Sequence, residues 1–174
     1  MAVRNIKNCF DPVLRKQCEI VKNIDGEVVT LSEDMVDTTL AAPGIGLAAN
    51  QIGIPRRIFV VNLGFETEND NLVTLINPEI TAMEGSELGE EGCLSIPDVV
   101  AKVNRATQVE LKAVDLNGKD VRYEATGFLA ANREVLEAQR RLAGTFPKIL
   151  VRDAEHAMYA GRYQALAPYL SLYA

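Results

Sequence analysis

Gln108-Val109-Glu110-Leu111-Lys112-Ala113-Val114 alternates polar and apolar side chains and is followed by Asn117-Gly118 and then Val121-Arg122-Tyr123-Glu124. Alternation at period two puts one set of side chains on each face of a strand, and Asn-Gly accepts the positive φ values of a tight reversal. This part of the chain is therefore read as antiparallel sheet. Upstream, Arg57-Ile58-Phe59-Val60-Val61-Asn62-Leu63 and Leu72-Val73-Thr74-Leu75-Ile76 are short, β-branched and apolar, the pattern of buried strands. The stretch from Gly64 to Asn71 between them is polar and turn-like. Thr30-Leu31-Ser32-Glu33 has the form of a capping box, and Met35, Val36, Thr39 and Leu40 recur at helical spacing before Pro43-Gly44. That spacing predicts a helix over roughly 31–42. A second helix is predicted from Asn132 as N-cap through Leu142-Ala143 to Gly144, with Pro147 beyond, and a short helical stretch at Ala154–Tyr159. Strands grouped in the middle with helices at two places indicate an α+β fold, not alternating βαβ units.

The chain has 174 residues, a length that one domain fills, so residues 1–174 are expected to form a single unit. Its apolar fraction of 48% lacks any run near the ~20 residues needed to cross a bilayer. Met1-Ala2-Val3-Arg4-Asn5-Ile6 has no secretory h-region, and three cysteines at irregular spacing suit a reducing compartment, so a cytoplasmic location is expected. A formal charge of −6 repels phosphate backbones, and direct nucleic-acid binding is not expected.

Two segments carry chemistry. In Gly44-Ile45-Gly46-Leu47-Ala48-Ala49-Asn50-Gln51 the glycines either let a substrate backbone come close, with the Gln51 amide aimed at a carbonyl oxygen, or simply turn the chain from helix to strand. The spacing is not that of a dinucleotide-binding fingerprint. In Glu91-Gly92-Cys93-Leu94-Ser95 the Cys93 thiol is a metal ligand, a nucleophile or a small buried hydrophobe, and the Leu94 N–H is a candidate partner for Gln51 in an oxyanion pair. Cys9 and Cys18 lack a partner motif and are read as structural.

Together these segments resemble the peptide deformylase family, whose members remove the formyl group from the initiator methionine of nascent proteins. The resemblance runs from Met1 to about Ala130 and includes Asp11-Pro12-Val13-Leu14-Arg15, Ile76-Asn77-Pro78 and Gly127-Phe128-Leu129-Ala130 besides the two motifs. It implies antiparallel sheets around a central helix, and a divalent metal (iron, zinc or nickel) held by one cysteine and two histidines. It makes Cys93 the metal ligand and makes Gln51 and the Leu94 N–H the stabilisers of the tetrahedral intermediate. Gly44, Ile45, Gly46, Leu47, Glu91 and Gly92 are the implied substrate contacts, with Ile45 lining the methionine pocket. The implied partners are a formyl-methionyl or other N-terminal peptide and the ribosome.

The departure begins after Ala130. The family's helix carries His-Glu-x-x-Asp-His, with two histidines on one face and a glutamate base. Here residues 131–144 contain no histidine, and the chain's single histidine is His156. Counting without a gap places Val135, Leu136 and Gln139 at the histidine, glutamate and histidine positions. Aligning Leu142-Ala143-Gly144 with the family's Leu-x-Gly places Glu137, Ala138 and Arg141 there, and this register is preferred. Glu137 and Arg141 are then four apart, either an ion pair where the metal would sit or a solvated pair. His156 is either one nitrogen ligand or an ordinary surface residue. Neither register supplies a ligand pair or a base. The expectation is deformylase ancestry, an atypical C-terminal segment from 131 to 174, and impaired catalysis. The alternatives are hydrolysis with unconventional metal ligation, or a non-catalytic module that binds N-terminal peptides.

Overall fold

A computed structural model of the chain describes residues 2–42, 44–63 and 71–126. Helix α1 spans Gly26–Ala41. Seven strands follow: β1 Gly46–Ala48, β2 Ile58–Asn62, β3 Leu72–Glu84, β4 Glu87–Cys93, β5 Ile96–Arg105, β6 Gln108–Val114 and β7 Asp120–Thr126. Five form one antiparallel sheet in the order β1-β2-β3-β6-β7, and β4 and β5 form a separate two-stranded hairpin inserted between β3 and β6.

The predicted helix exists but starts earlier than its sequence signal suggested. Asp25 is the N-cap, its side chain accepting the Val28 N–H at 3.1 Å, so the Thr30 box lies inside the helix. The apolar series that matters begins upstream of that box: Val28, Leu31 and Met35 face inward and are buried. They pack against Leu47, Ile58, Val60 and Ile76. On the opposite face of β2, Phe59 and Val61 pack with Leu75, Leu111 and Ala113. Apolar partners on both faces explain why β2 is a continuous apolar run and not an alternating one.

The second predicted strand also runs past its expected end. β3 continues beyond Ile76 to Glu84, but Pro78 has no N–H for the ladder, and the pairing with β6 shifts register between Ile76 and Glu79. Asn77 takes a left-handed φ of 53°, and its side-chain amide pairs with the backbone of Val21 in both directions, at 2.9 and 2.8 Å. The predicted β6–β7 hairpin forms around Asn117-Gly118, with Asp115 Oδ1 accepting the N–H groups of Asn117 and Lys119. The reading missed β4 and β5. The helices predicted at 132–144 and Ala154–Tyr159, and the central helix the resemblance implies, lie outside the described residues. No helix among the described residues is long and apolar enough to cross a membrane.

Residues 2–9 are tied down along α1 and the sheet. Asp34, whose side chain is 3% exposed, accepts the Ala2 N–H at 2.6 Å and the Arg4 Nε–H at 2.8 Å, and the Arg4 N–H donates to Thr38 Oγ1 at 2.9 Å. The Arg4 hydrogen bond is the main cause holding the Asp34 carboxyl below its ordinary value. A carboxylate lowered on folding stabilises the fold fully above its unfolded pKa of ~3.9, and this contribution drains away as pH falls toward the folded value. Thermal denaturation as a function of pH should therefore show an acid limb below about pH 4 that is flatter in Asp34→Asn. An acid limb of equal slope in that variant would remove Asp34 as its source.

Candidate functional site

The first motif leaves α1, crosses β1 and ends in a 3-10 turn at Ala49–Ile52. Its two glycines serve different contacts. A Cβ on Gly44 would stand 2.7 Å from Cδ1 and 3.1 Å from Cγ of Leu94, so the space that glycine leaves is filled by that side chain. A Cβ on Gly46 would stand 2.9 Å from the Val60 carbonyl oxygen and 2.9 Å from the Phe59 ring, an obstruction that includes backbone. Ile45 is half-buried, and its carbonyl accepts the Asn62 N–H at 2.8 Å. Leu47 is wholly enclosed in the core beneath α1.

Gln51 follows. Its Oε1 accepts the Ala48 N–H at 2.9 Å, and because an N–H needs an acceptor this bond fixes which end of the amide is oxygen. The other end, Nε2, is thereby turned to Ser95 Oγ at 3.3 Å and Cys93 Sγ at 4.0 Å. The structure thus brings the Gln51 amide to Cys93, with Leu94 following Cys93 at the hairpin tip.

Cys93 ends β4, and Leu94-Ser95 forms the tip of the hairpin before Ile96 pairs back across from Cys93. Gly92 opposes Val100 while Cys93 opposes Ile96, so Pro97, Asp98 and Val99 bulge out, with Asp98 in the left-handed region at φ 65°. Cys93, Ile96, Val99, Ala101 and Val103 line a shallow depression on the hairpin, with Glu91 at its side. Arg105 holds Glu91 through Nε at 2.9 Å and Nη2 at 2.7 Å, with only 10% and 15% of the two side chains exposed. The carboxylate named as a substrate contact therefore has a cationic partner within the protein. Arg105 was not singled out from the sequence, although the inward series Val99, Ala101, Val103 and Arg105 at period two was available to find it.

The other thiols fit their structural reading. Burial is the main cause raising both, with Cys18 pushed up to about 11 against the opposing charge of Arg57 and Cys9 raised against that of Arg15. At neutral pH both stay protonated and poorly nucleophilic.

A catalytic zinc site takes three protein ligands and leaves one position open. Among the described residues no cluster of three or more His, Cys, Asp or Glu side chains is disposed to hold a metal. Cys93 is the ligand type that stands against Gln51, and the full sequence offers one histidine where the implied donor set needs two. The donors of this chain do not fit that set. Glu137, Arg141 and His156 lie outside the described residues.

An antiparallel sheet under one helix, with a hairpin tip placing a thiol beside a carboxamide, defines an α+β protein. Residues 3–133 match the family model for polypeptide deformylase. A peptide deformylase of Thermodesulfovibrio yellowstonii is 45% identical over 130 residues, which cover 75% of this chain and 79% of that protein. The crystal structure of a peptide deformylase from Legionella pneumophila superposes with a TM-score of 0.76 at 33% identity, covering 94% of this chain and 98% of that one. The crystal structure of a peptide deformylase from Synechococcus elongatus in complex with actinonin gives 0.73 at 34% identity, covering 80% and 76%. This chain belongs to the polypeptide deformylase family, whose members are metal-dependent and act on formylated N-termini.

The different surroundings of the two glycines make their replacement diagnostic. Gly44→Ala should lower the melting temperature, and its cost should shrink in a Leu94→Ala background where the colliding side chain is gone. Gly46→Ala should cost about 1–3 kcal/mol in either background, because the Val60 backbone cannot be removed. Equal costs for Gly44→Ala in both backgrounds would show that Leu94 does not occupy the notch.

Proposed function

We infer that this chain binds the formylated N-terminus of a polypeptide beside Gln51, Cys93 and Leu94, and that it hydrolyses the formyl group poorly or not at all. Recognition rests on one observation: the Ala48 N–H fixes the Gln51 amide so that its donor end faces Cys93. A donor held in place before the ligand arrives needs no reorganisation to meet a carbonyl oxygen. The Leu94 N–H is the second donor in this reading. Strand β1 is the outermost strand of its sheet among the described residues, and Gly44, Ile45 and Gly46 lie on or next to it, where an extended peptide would lie against the chain. Ile45 receives the methionine side chain, and Leu47 and the Glu91-Gly92 segment support the pocket walls.

Impairment rests on donor chemistry. In the family's chemistry hydrolysis at neutral pH is served by a water whose pKa is brought far down to about 7, which a three-ligand metal site with an open position accomplishes. Cys93 with at most His156 makes two good ligands, and the preferred register puts Glu137 and Arg141, the ungapped one Val135 and Gln139, at the positions of the family's histidines. An arginine donates hydrogen bonds and cannot ligate a cation. Iron, zinc and nickel are the metals such a site would take, and this chain is expected to hold none of them tightly. We place the protein in the cytoplasm, with a nascent formyl-methionyl chain, and through it the ribosome, as partners.

The test is to prepare the full chain anaerobically, measure bound iron, nickel and zinc, and assay formate release and binding with formyl-Met-Ala-Ser. Peptide binding with substoichiometric metal and formate release at background is the expected result. Stoichiometric metal with turnover that collapses in Cys93→Ala would establish unconventional ligation and an active enzyme. Absence of peptide binding would end the recognition reading.

A further inference from the structure

We propose that Ser95 is the positioning residue that aims the Gln51 amide, and that the segment Ile6–Cys9 straps Ser95 and Gln51 together. The proposal rests on the formyl-recognition reading and adds to it the residues that hold the donor in place.

Gln51 and Ser95 come from segments that adjoin different sheets. Gln51 lies in the 3-10 turn after β1, and Ser95 lies at the tip of the β4–β5 hairpin. Ser95 is 4% exposed, and its hydroxyl is 3.3 Å from Gln51 Nε2. A primary amide carries two N–H groups. With Oε1 occupied by Ala48 and one N–H given to Ser95, the amide plane is set at both ends and the second N–H is left on the Cys93 side. Without the Ser95 hydroxyl the amide would keep one fixed end and swing about it.

The segment Ile6–Cys9 contacts both partners through its backbone. The Lys7 N–H donates to the Gln51 carbonyl at 2.7 Å, and the Cys9 N–H donates to the Ser95 carbonyl at 2.8 Å. The two donors are two residues apart, so one short segment reaches both. Lys7 also lies over Gly53, whose missing Cβ would stand 2.9 Å from Lys7 Cε, and its Nζ is 3.8 Å from Asp11. Cys9 is buried beside Asn8, its Sγ 3.3 Å from Asn8 Oδ1. The bonds to Gln51 and Ser95 are main-chain bonds, which explains why no motif in residues 6–9 announces them.

The experiment compares affinity for formyl-Met-Ala-Ser with affinity for the analogue in which hydrogen replaces the formylamino group. The wild type should favour the formyl peptide. Ser95→Ala should lose about fivefold of that preference, the size of one neutral hydrogen bond, with affinity for the analogue unchanged. Ser95→Thr, which keeps the hydroxyl, should restore it. A merely structural role would weaken both ligands alike, so equal losses, or an unchanged ratio in Ser95→Ala, would overturn the proposal. A wild type without preference would instead overturn the recognition reading on which it rests. If Ser95→Ala does not fold, a backbone ester at Cys9, made by semisynthesis to remove its N–H, carries the same comparison. The same selective loss supports the strap, and an unchanged ratio overturns it.

Discussion

The whole candidate site depends on how the tip of the β4–β5 hairpin is seated against the five-stranded sheet. Among the described residues the hairpin shares no ladder with that sheet, and an isolated two-stranded ribbon is marginal in water. Its tip is therefore held by side chains and by the N-terminal segment. Leu94 enters the notch over Gly44 and joins the core beneath α1, the Ser95 carbonyl receives the Cys9 N–H, and its hydroxyl meets Gln51. The Cys93 thiol is carried to the Gln51 amide as a consequence of those contacts.

This seating changes how the first motif should be understood. Small residues at 44 and 46 suggest room for a substrate, yet the space at Gly44 is taken by Leu94 and that at Gly46 by Phe59 and the Val60 carbonyl. The glycines serve the approach of protein to protein. Tight packing here has a functional consequence, because a shift of a few tenths of an ångström at Leu94 would be passed to Cys93 and Ser95 on either side of it.

Much of the architecture was legible because burial writes itself into periodicity. β2, β6 and β7 pack on at least one apolar face, and each was visible as a run or an alternation. α1 was found, but its start was misplaced because Thr30 and Glu33 imitate a capping box while Asp25 supplies the cap. β4 was not legible: Glu87, Leu88, Gly89, Glu90, Glu91 and Gly92 offer no apolar face, since the hairpin's inward pair is the ion pair of Glu91 with Arg105. The candidate site was readable where side-chain identity matters, at Gln51 and Cys93. It was unreadable where the main chain acts, at Lys7, Ala48 and the carbonyl of Ser95. Any residue but proline donates the same N–H, so composition carries no trace of those bonds.

The residues that orient Gln51 and Cys93, and the histidines that family pattern assigns to the metal, belong to different parts of this sequence. The contacts described for Gln51 and Cys93 come from residues 6–9, 44–51 and 91–96, all within the segment that matches the family model, 3–133. The histidines that would complete a metal site belong by family pattern to a helix after Ala130, and no histidine occurs there before His156. Hydrogen-bond donors act on a carbonyl oxygen through geometry alone, whereas hydroxide at neutral pH requires a cation strong enough to shift a proton equilibrium by several units. The absence of histidine from residues 131–144 bears on that cation's ligands and leaves the donor geometry around Gln51 untouched.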